Sequence, residues 1–330
     1  MTQSPPASIL VYVGLDAVGD GLMKLPFLRA LRSAFPEARI TWMAGKGHSV
    51  YAGSLAPLVQ GLVDEVLDQA DVGSRIGELF GRRPLSGRSF DLVIDTQRRL
   101  LTSLIVRRVR HRRFISAAAG FALSDARPTR GWRRPPAMVG QLLDLATLAA
   151  GRPAEALAPL PADPAVEALA ASLLPSGQTY VGFAPGAGGR HKCWPFERFL
   201  ELAARIQAAK NVPVFLLGPN EAAWADDIRT ALPDARLPLQ AVDKAPPALT
   251  IALGRRLTAA VANDSGTGHM LAAADVPLVS LFGPTPPEKF APAARRLTVL
   301  RAQDFGADSM DAIPVDAVAQ ALERMAKPLL

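Results

Sequence analysis

The sequence predicts an α/β protein of two doubly wound domains, each a parallel sheet with helices on both faces. Three observations carry that reading. Apolar runs of strand length alternate with stretches of helical periodicity. Each half opens on a strand, a glycine-bearing turn and a helix. A proline-rich joint divides the 330 residues, too many for one comfortable core.

Residues 9–15 (ILVYVGL) form a continuous apolar run with β-branched residues, as in a central parallel strand covered on both faces. After the turn at 16–21, Leu22, Leu25, Leu28, Ala30, Leu31 and Phe35 fall at helical spacing. The turn lacks the G-x-G-x-x-G pattern, so a nicotinamide cofactor is poorly supported. Gly19 and Gly21 let the chain bend around Asp20, which stands at the strand's carboxyl edge as a turn or cap residue or as a general base. Residues 39–44, 61–67 and 91–95 read as further strands, with a helix over 48–58. Residues 99–110 read as an amphipathic helix, Leu100, Leu104 and Val109 inward and Arg107, Arg108 and Arg110 outward. A strand over 113–116 and a helix over 138–150 follow, and the joint at 151–164 sets domains of 1–161 and 162–330.

The second half restarts the pattern. Residues 179–184 are an apolar strand, followed by the loop 185–195 and a helix over 196–210. The loop carries Gly186, Ala187, Gly188, Gly189 and Lys192, so exposed amides stand beside a full positive charge. This suits a diphosphate, and no G-K-[ST] ends the loop as a Walker A motif would. The strand 212–217 ends at Glu221, either an acceptor for ribose hydroxyls or a first-turn helix acid. After a helix over 248–253, residues 257–262 and 277–282 are two more buried strands, joined by the polar turn 263–269 and a short helix. In that turn Asp264 or Ser265 caps the helix, or the free amides and helix dipole hold an anion. Residues 314–325 make a terminal helix.

Composition, with 49% hydrophobic and 20% charged residues, is that of an ordinary folded chain. Arg, Pro or Gly interrupts every apolar run before it could cross a bilayer, and residues 1–15 lack a secretory pattern, so a cytoplasmic location is expected. One cysteine, Cys193, and four scattered histidines give no disulfide framework, and no spacing argues for a metal. The formal charge is +7, and between residues 98 and 134 eleven arginines face one acid, Asp125. A nucleic acid, an anionic membrane surface and a small anionic acceptor all remain open as partners for that segment. The aromatic content of 6% argues against stacking on single strands.

Three motifs in order resemble glycosyltransferase family 9, the heptosyltransferases of lipopolysaccharide core assembly, over nearly the full length. They are Val18-Gly19-Asp20 with Leu25-Pro26-Phe27-Leu28; Pro185-Gly186 with Lys192, Trp194-Pro195 and Glu197-Arg198-Phe199; and Asn263-Asp264-Ser265-Gly266 with His269 and the segment 277–285. The resemblance implies a GT-B fold, two Rossmann-like domains facing across a cleft, with the helix 314–325 returning to the first. It implies a nucleotide-sugar co-substrate on the second domain, ADP-heptose as in the characterised branch or, alternatively, another nucleotide sugar, with no cofactor and no metal. The acceptor on the first domain would be an anionic, lipid-linked glycan rather than a nucleic acid, met at the cytoplasmic face of the inner membrane with peripheral contact to its anionic surface.

Residue by residue, the resemblance makes Asp20 the base that takes the acceptor's proton and Lys192 the cation that offsets charge on the departing diphosphate. Gly186, Ala187, Gly188, Glu221, Asp264, Ser265, Gly266 and His269 fall to the donor, and Arg98, Arg99 and Gly21 to the acceptor. The chain departs from the family at Ala187, Gly188 and Gly189, where some members carry hydroxyls, at Lys24, and at Thr267-Gly268. A nucleotide-sugar epimerase or hydrolase of the same fold would have only Asp20, Asp264 and His269 to work with. A non-enzymatic, arginine-rich polyanion binder would not need Asp20.

Overall fold

The computed structural model describes residues 4–16, 18–326 and 329. The chain divides into two compact units, Met1–Pro161 and Ala162–Leu330.

In the first unit the elements run β1 (Ser8–Val13), α1 (Val18–Ala34), β2 (Arg39–Ala44), β3 (Glu65–Leu67), β4 (Ser89–Asp95), α2 (Leu100–Val106), β5 (Arg110–Ser116) and α3 (Met138–Ala150). All pairings are parallel, in the order β3-β2-β1-β4-β5. This is the order of a mononucleotide-binding half, with the switch point between β1 and β4. β1 is central, and Ile9 to Val13 are fully buried, which is why this strand reads as an unbroken apolar run.

The second unit holds α4 (Pro164–Leu173), β6 (Tyr180–Ala184), α5 (Phe196–Ala208), β7 (Val212–Phe215), α6 (Ala225–Ala231), α7 (Pro247–Gly254), β8 (Ala259–Asn263), α8 (Gly266–Ala273), β9 (Leu278–Phe282), α9 (Pro287–Phe290), β10 (Leu297–Arg301) and α10 (Val315–Met325). The order is β10-β9-β8-β6-β7, again all parallel, with the switch point between β6 and β8. Alternate strand residues feed two cores. Val181, Phe183, Phe215, Val261 and Val279 pack with Phe199, Leu202 and Leu322, whereas Tyr180, Ala184, Val214, Ala260 and Leu278 pack with Leu174, Leu249 and Leu271.

Several expected elements change. The segment 48–58 is two 3-10 turns, Val50–Ala52 and Ala56–Val59, interrupted at Gly53, whose backbone is not helical. The strand expected over 61–67 shrinks to β3 because Gly61 takes φ +76°, in the left-handed region. The helix expected over 99–110 stops at Val106, and Arg110 already belongs to β5. α4 and β10 were not anticipated. The terminal helix packs within the second unit. Val315, Val318, Ala319, Ala321 and Leu322 are buried with Phe183 and Phe199, and α10 lies against α5, β8 and β9, because its apolar stripe completes one face of the second sheet. Among the described residues no helix is long and apolar enough to cross a membrane.

Candidate functional site

On the second unit, the predicted donor residues collect where β6, β7 and β8 end. Asn263, the last residue of β8, is fully buried. Its Oδ1 accepts from the Trp194 amide at 3.1 Å, and its Nδ2 donates to the Pro185 carbonyl at 2.7 Å. One side chain thereby ties both ends of the loop 185–194 to the neighbouring strand. Trp194 is itself buried and donates from Nε1 to the Ile313 carbonyl at 2.9 Å.

The loop so held presents Lys192, whose Nζ lies 3.1 Å from Asp264 Oδ2. The Thr285 hydroxyl donates to the same oxygen at 2.7 Å. Lys192 is therefore an oriented cation rather than a free one. Ser265 caps α8, its Oγ accepting from the Gly268 amide at 3.2 Å. That leaves the Gly266 and Thr267 amides, which have no intrahelical acceptor by geometry, at the helix's positive end. Capping and anion binding are thus compatible here. His269 lies farther along α8, its amide on the Ser265 carbonyl at 3.2 Å. Ala187 and Gly188 lie at the loop's partly exposed rim.

Glu221 folds back over the same loop. A Cβ on Gly186 would lie 2.5 Å from the Glu221 Cδ, and one on Gly218 would lie 2.7 Å from its Oε2, so both positions exclude a side chain while Glu221 sits there. Burial, and then the Glu221 charge, push the Cys193 thiol above its ordinary value.

On the first unit, Asp20 lies in the first turn of α1, partly exposed, with no hydrogen bond or ion pair to the described residues. Asp16, four residues earlier, is the opposite case. It is buried, with Oδ1 2.6 Å from Lys24 Nζ, and Oδ2 accepting from Trp42 Nε1 at 2.8 Å and Ser49 Oγ at 2.9 Å. The unusual Lys24 is thus the buried partner of Asp16, one helical turn beyond Asp20.

Gly21, expected at the acceptor, has a packing role on the first unit. It is buried, its carbonyl accepts from Tyr51 Oη at 2.7 Å, and a Cβ there would lie 2.6 Å from Val50 Cγ2. Arg98 and Arg99 are exposed just past β4. Arg98 Nη1 reaches Gln141 Oε1 at 3.3 Å, and Arg134 Nη2 reaches the same oxygen at 2.9 Å. Two guanidinium groups on one neutral acceptor keep their charge available to an anion. Partial burial and then the charge of Arg134 hold Arg98 below the usual arginine range. Beneath them Asp95 is buried, accepting from the Ser103 and Ser116 hydroxyls and from the Gln97 amide. Burial pushes its carboxyl up to about 6, against the opposing effect of those bonds.

Sequence reasoning passed over Asp16, Asp95, Gln141 and Thr285 as site residues and left Asn263 out of the donor set. Asn263 and Thr285 meet partners 69 and 21 residues away; Asp16 meets Lys24 only eight residues on, and Lys24, flagged as a departure, was its signal.

The chain is similar to several known proteins. The lipooligosaccharide heptosyltransferase 2 of Haemophilus influenzae is 33% identical over 125 residues, a segment that spans 37% of this chain and only 36% of that relative. A family 9 glycosyltransferase structure from Veillonella parvula superposes with a TM-score of 0.73 at 20% identity, covering 97% of each chain. The Escherichia coli heptosyltransferase WaaC, solved with ADP-2-deoxy-2-fluoro heptose, superposes with a TM-score of 0.67 at 17% identity, covering 97% of this chain and all of that one. At these identities the two structures establish the α/β, GT-B fold. The model of glycosyltransferase family 9 (heptosyltransferase) matches residues 81–311, and with more than half of its length so matched the chain belongs to that family.

Proposed function

We propose that the chain is an inverting glycosyltransferase that moves heptose from ADP-heptose to an anionic acceptor of the lipopolysaccharide-core type, carried at the cytoplasmic face of the inner membrane. The observation that carries this is the cluster at the β6/β8 switch point, with Lys192 oriented by Asp264 and Thr285 beside the N-terminus of α8. Such an edge favours a diphosphate. Glu221, seated on Gly186, is the acid suited to ribose hydroxyls. The fold shared with WaaC, which was solved with an ADP-heptose analogue, supports the choice of nucleotide and sugar.

In the proposed reaction the acceptor hydroxyl attacks the anomeric carbon as the bond to the diphosphate oxygen breaks. ADP departs, and the hydroxyl proton passes to Asp20. Asp20 suits the task because, unlike Asp16, it is partly exposed and its carboxylate is not engaged by the described residues. A general base of this kind is worth roughly 10²–10⁴ in rate. Lys192 and the first amides of α8 stabilise the negative charge that grows on the leaving ADP. Arg98 and Arg134, converging on Gln141, suit a phosphate or carboxylate of the acceptor.

Calorimetry with ADP, GDP and UDP, followed by a transfer assay on Asp20→Asn, tests the proposal. ADP should bind best, and the variant should keep that affinity while its kcat falls by roughly 10²–10⁴. Preference for GDP or UDP would remove ADP-heptose as donor. A variant with full turnover would remove Asp20 as base.

A further inference from the structure

Between β3 and β4 the chain makes a long excursion whose tip points apolar residues at water. Ile76 is 70% exposed and Phe80 86% exposed, on and just after the 3-10 turn Ile76–Leu79. Surface apolar residues scattered singly need no explanation, but these two are neighbours on one turn and are flanked by Arg75, Arg82 and Arg83, all exposed. Arg82 and Arg83 have no carboxylate partner among the described residues, while Arg75 pairs with Asp71.

The acid within the segment is turned away. Glu78 folds back so that its carboxylate accepts from the Gly73, Ser74 and Arg75 amides at 2.8, 2.9 and 2.7 Å. The base of the excursion is fixed as well. Tyr12 Oη donates to the Val72 carbonyl at 2.7 Å and Thr102 Oγ1 to the Gly73 carbonyl at 2.8 Å. Arg108 donates to the Glu78 carbonyl and, at 2.6 Å, to the Gly81 carbonyl. Ile76 and Phe80 are therefore held outward on a braced turn, with the acid spent inside and the unpaired arginines beside them.

We propose that this tip, Ile76 and Phe80 with Arg82 and Arg83, docks the first unit on an anionic lipid bilayer. The inference gives a surface to the membrane-borne acceptor of the proposed function, and it rests on that reading only for the presence of a membrane near the substrate. Shallow apolar insertion beside basic charge is the pattern of an interfacial anchor. Two side chains on one turn fall far short of the ~800 Å² per partner that a stable protein interface needs, whereas a bilayer accepts them singly. The arginines match the negative charge of such a surface.

Flotation of the full chain with phosphatidylcholine vesicles, and with vesicles also containing phosphatidylglycerol, tests the inference. The chain should float with the anionic vesicles, and less so as salt rises. Ile76→Ser/Phe80→Ser should weaken that partition by about tenfold or more. Arg82→Glu/Arg83→Glu should weaken it by at least about fivefold for each arginine lost. The apolar residues are exposed, so thermal unfolding of the variants should match that of the parent chain. Equal partition of parent and variants, or no partition at all, overturns the inference. So does sedimentation showing a dimer that Ile76→Ser/Phe80→Ser dissociates, since the tip would then be an interface between copies. ADP calorimetry on the parent chain keeps the two proposals apart: absence of ADP binding there would sink the ADP-heptose reading and leave the vesicle result standing.

Discussion

Replacing Lys24 by Met removes one charge from the buried face of α1, one helical turn beyond Asp20, and little else. The methionine keeps most of the lysine's apolar stem, so the packing of α1 on its neighbours changes little. What is lost is the 2.6 Å contact to Asp16, between side chains 8% and 0% exposed. Asp16 keeps the Trp42 and Ser49 donors on Oδ2, but Oδ1 faces an apolar group. Removing one partner of a buried pair typically costs about 3–5 kcal/mol, because the remaining charge is uncompensated. That is a large share of the ~5–15 kcal/mol by which a domain is folded. Asp16→Asn in the same background removes the stranded charge, so the double variant should recover about 2 kcal/mol or more of the loss. Two units need not unfold together, so the free energy is best read from hydrogen exchange of the β1 and α1 amides rather than from one whole-chain transition. A Lys24→Met cost below about 1 kcal/mol, or a double variant no more stable than the single one, would refute the assignment of the pair as the clamp of this turn.

Asn263→Ala strands the Trp194 amide and the Pro185 carbonyl in a buried position, at about 1–3 kcal/mol each. Calorimetry and thermal unfolding should show both a lower Tm and weaker ADP binding; intact ADP affinity would mean that the loop holds its shape without the side chain. Asp95→Asn tests the buried carboxyl beneath Arg98. The folded chain holds the Asp95 proton up to about pH 6, against an ordinary value of about 3.9 when unfolded. Ionised Asp95 therefore opposes folding, and its effect is absent below about pH 4, grows as pH rises, and is complete above about pH 6. The stability of the parent chain relative to Asp95→Asn should fall by roughly 3 kcal/mol across that window in local hydrogen exchange, and a flat difference would contradict the burial argument.

The legible parts of this chain are those where one physical demand dominates a run of residues. β1, β6 and β8 are buried along almost their whole length, so each reads as an apolar run, and α3 occupies the expected 138–150 because its leucine periodicity ends at Gly151, which takes the left-handed conformation. β10 escaped notice because all five of its residues are only half-buried at a sheet edge, between Arg296 and Arg301. α4 was hidden in the joint because Pro164, a breaker inside a helix, is tolerated at the first helical position, where Asp163 caps it. Lys192, Glu221 and Asp264 were legible as types of chemistry. Their mutual arrangement was not, since Lys192 and Asp264 lie 72 residues apart in sequence.

That arrangement bears on how a site with so few charges would prefer a diphosphate, as the proposed function requires. A lysine left free on its flexible stem would lose rotamer freedom of up to about 2 kcal/mol on meeting a ligand. Asp264 restricts part of that freedom beforehand, holding the ammonium at 3.1 Å, but it also competes with the incoming anion for the same charge. The competition is uneven. Asp264 contributes one negative charge and already accepts from Thr285 on the oxygen nearest Lys192. A diphosphate carries more charge and more acceptor oxygens. An ammonium has three donors, so Lys192 need not leave Asp264 to reach it. Each additional unit charge at about 4 Å is worth roughly 4 kcal/mol at the effective dielectric of a partly exposed site, before desolvation is subtracted. Lys192 and the α8 amides act on the same edge, so a ligand that offers one phosphate to each gains from both, whereas a single phosphate must choose. On the proposed reading, selectivity for the diphosphate would follow from holding the lysine beside the helix end rather than from adding further cations to the loop.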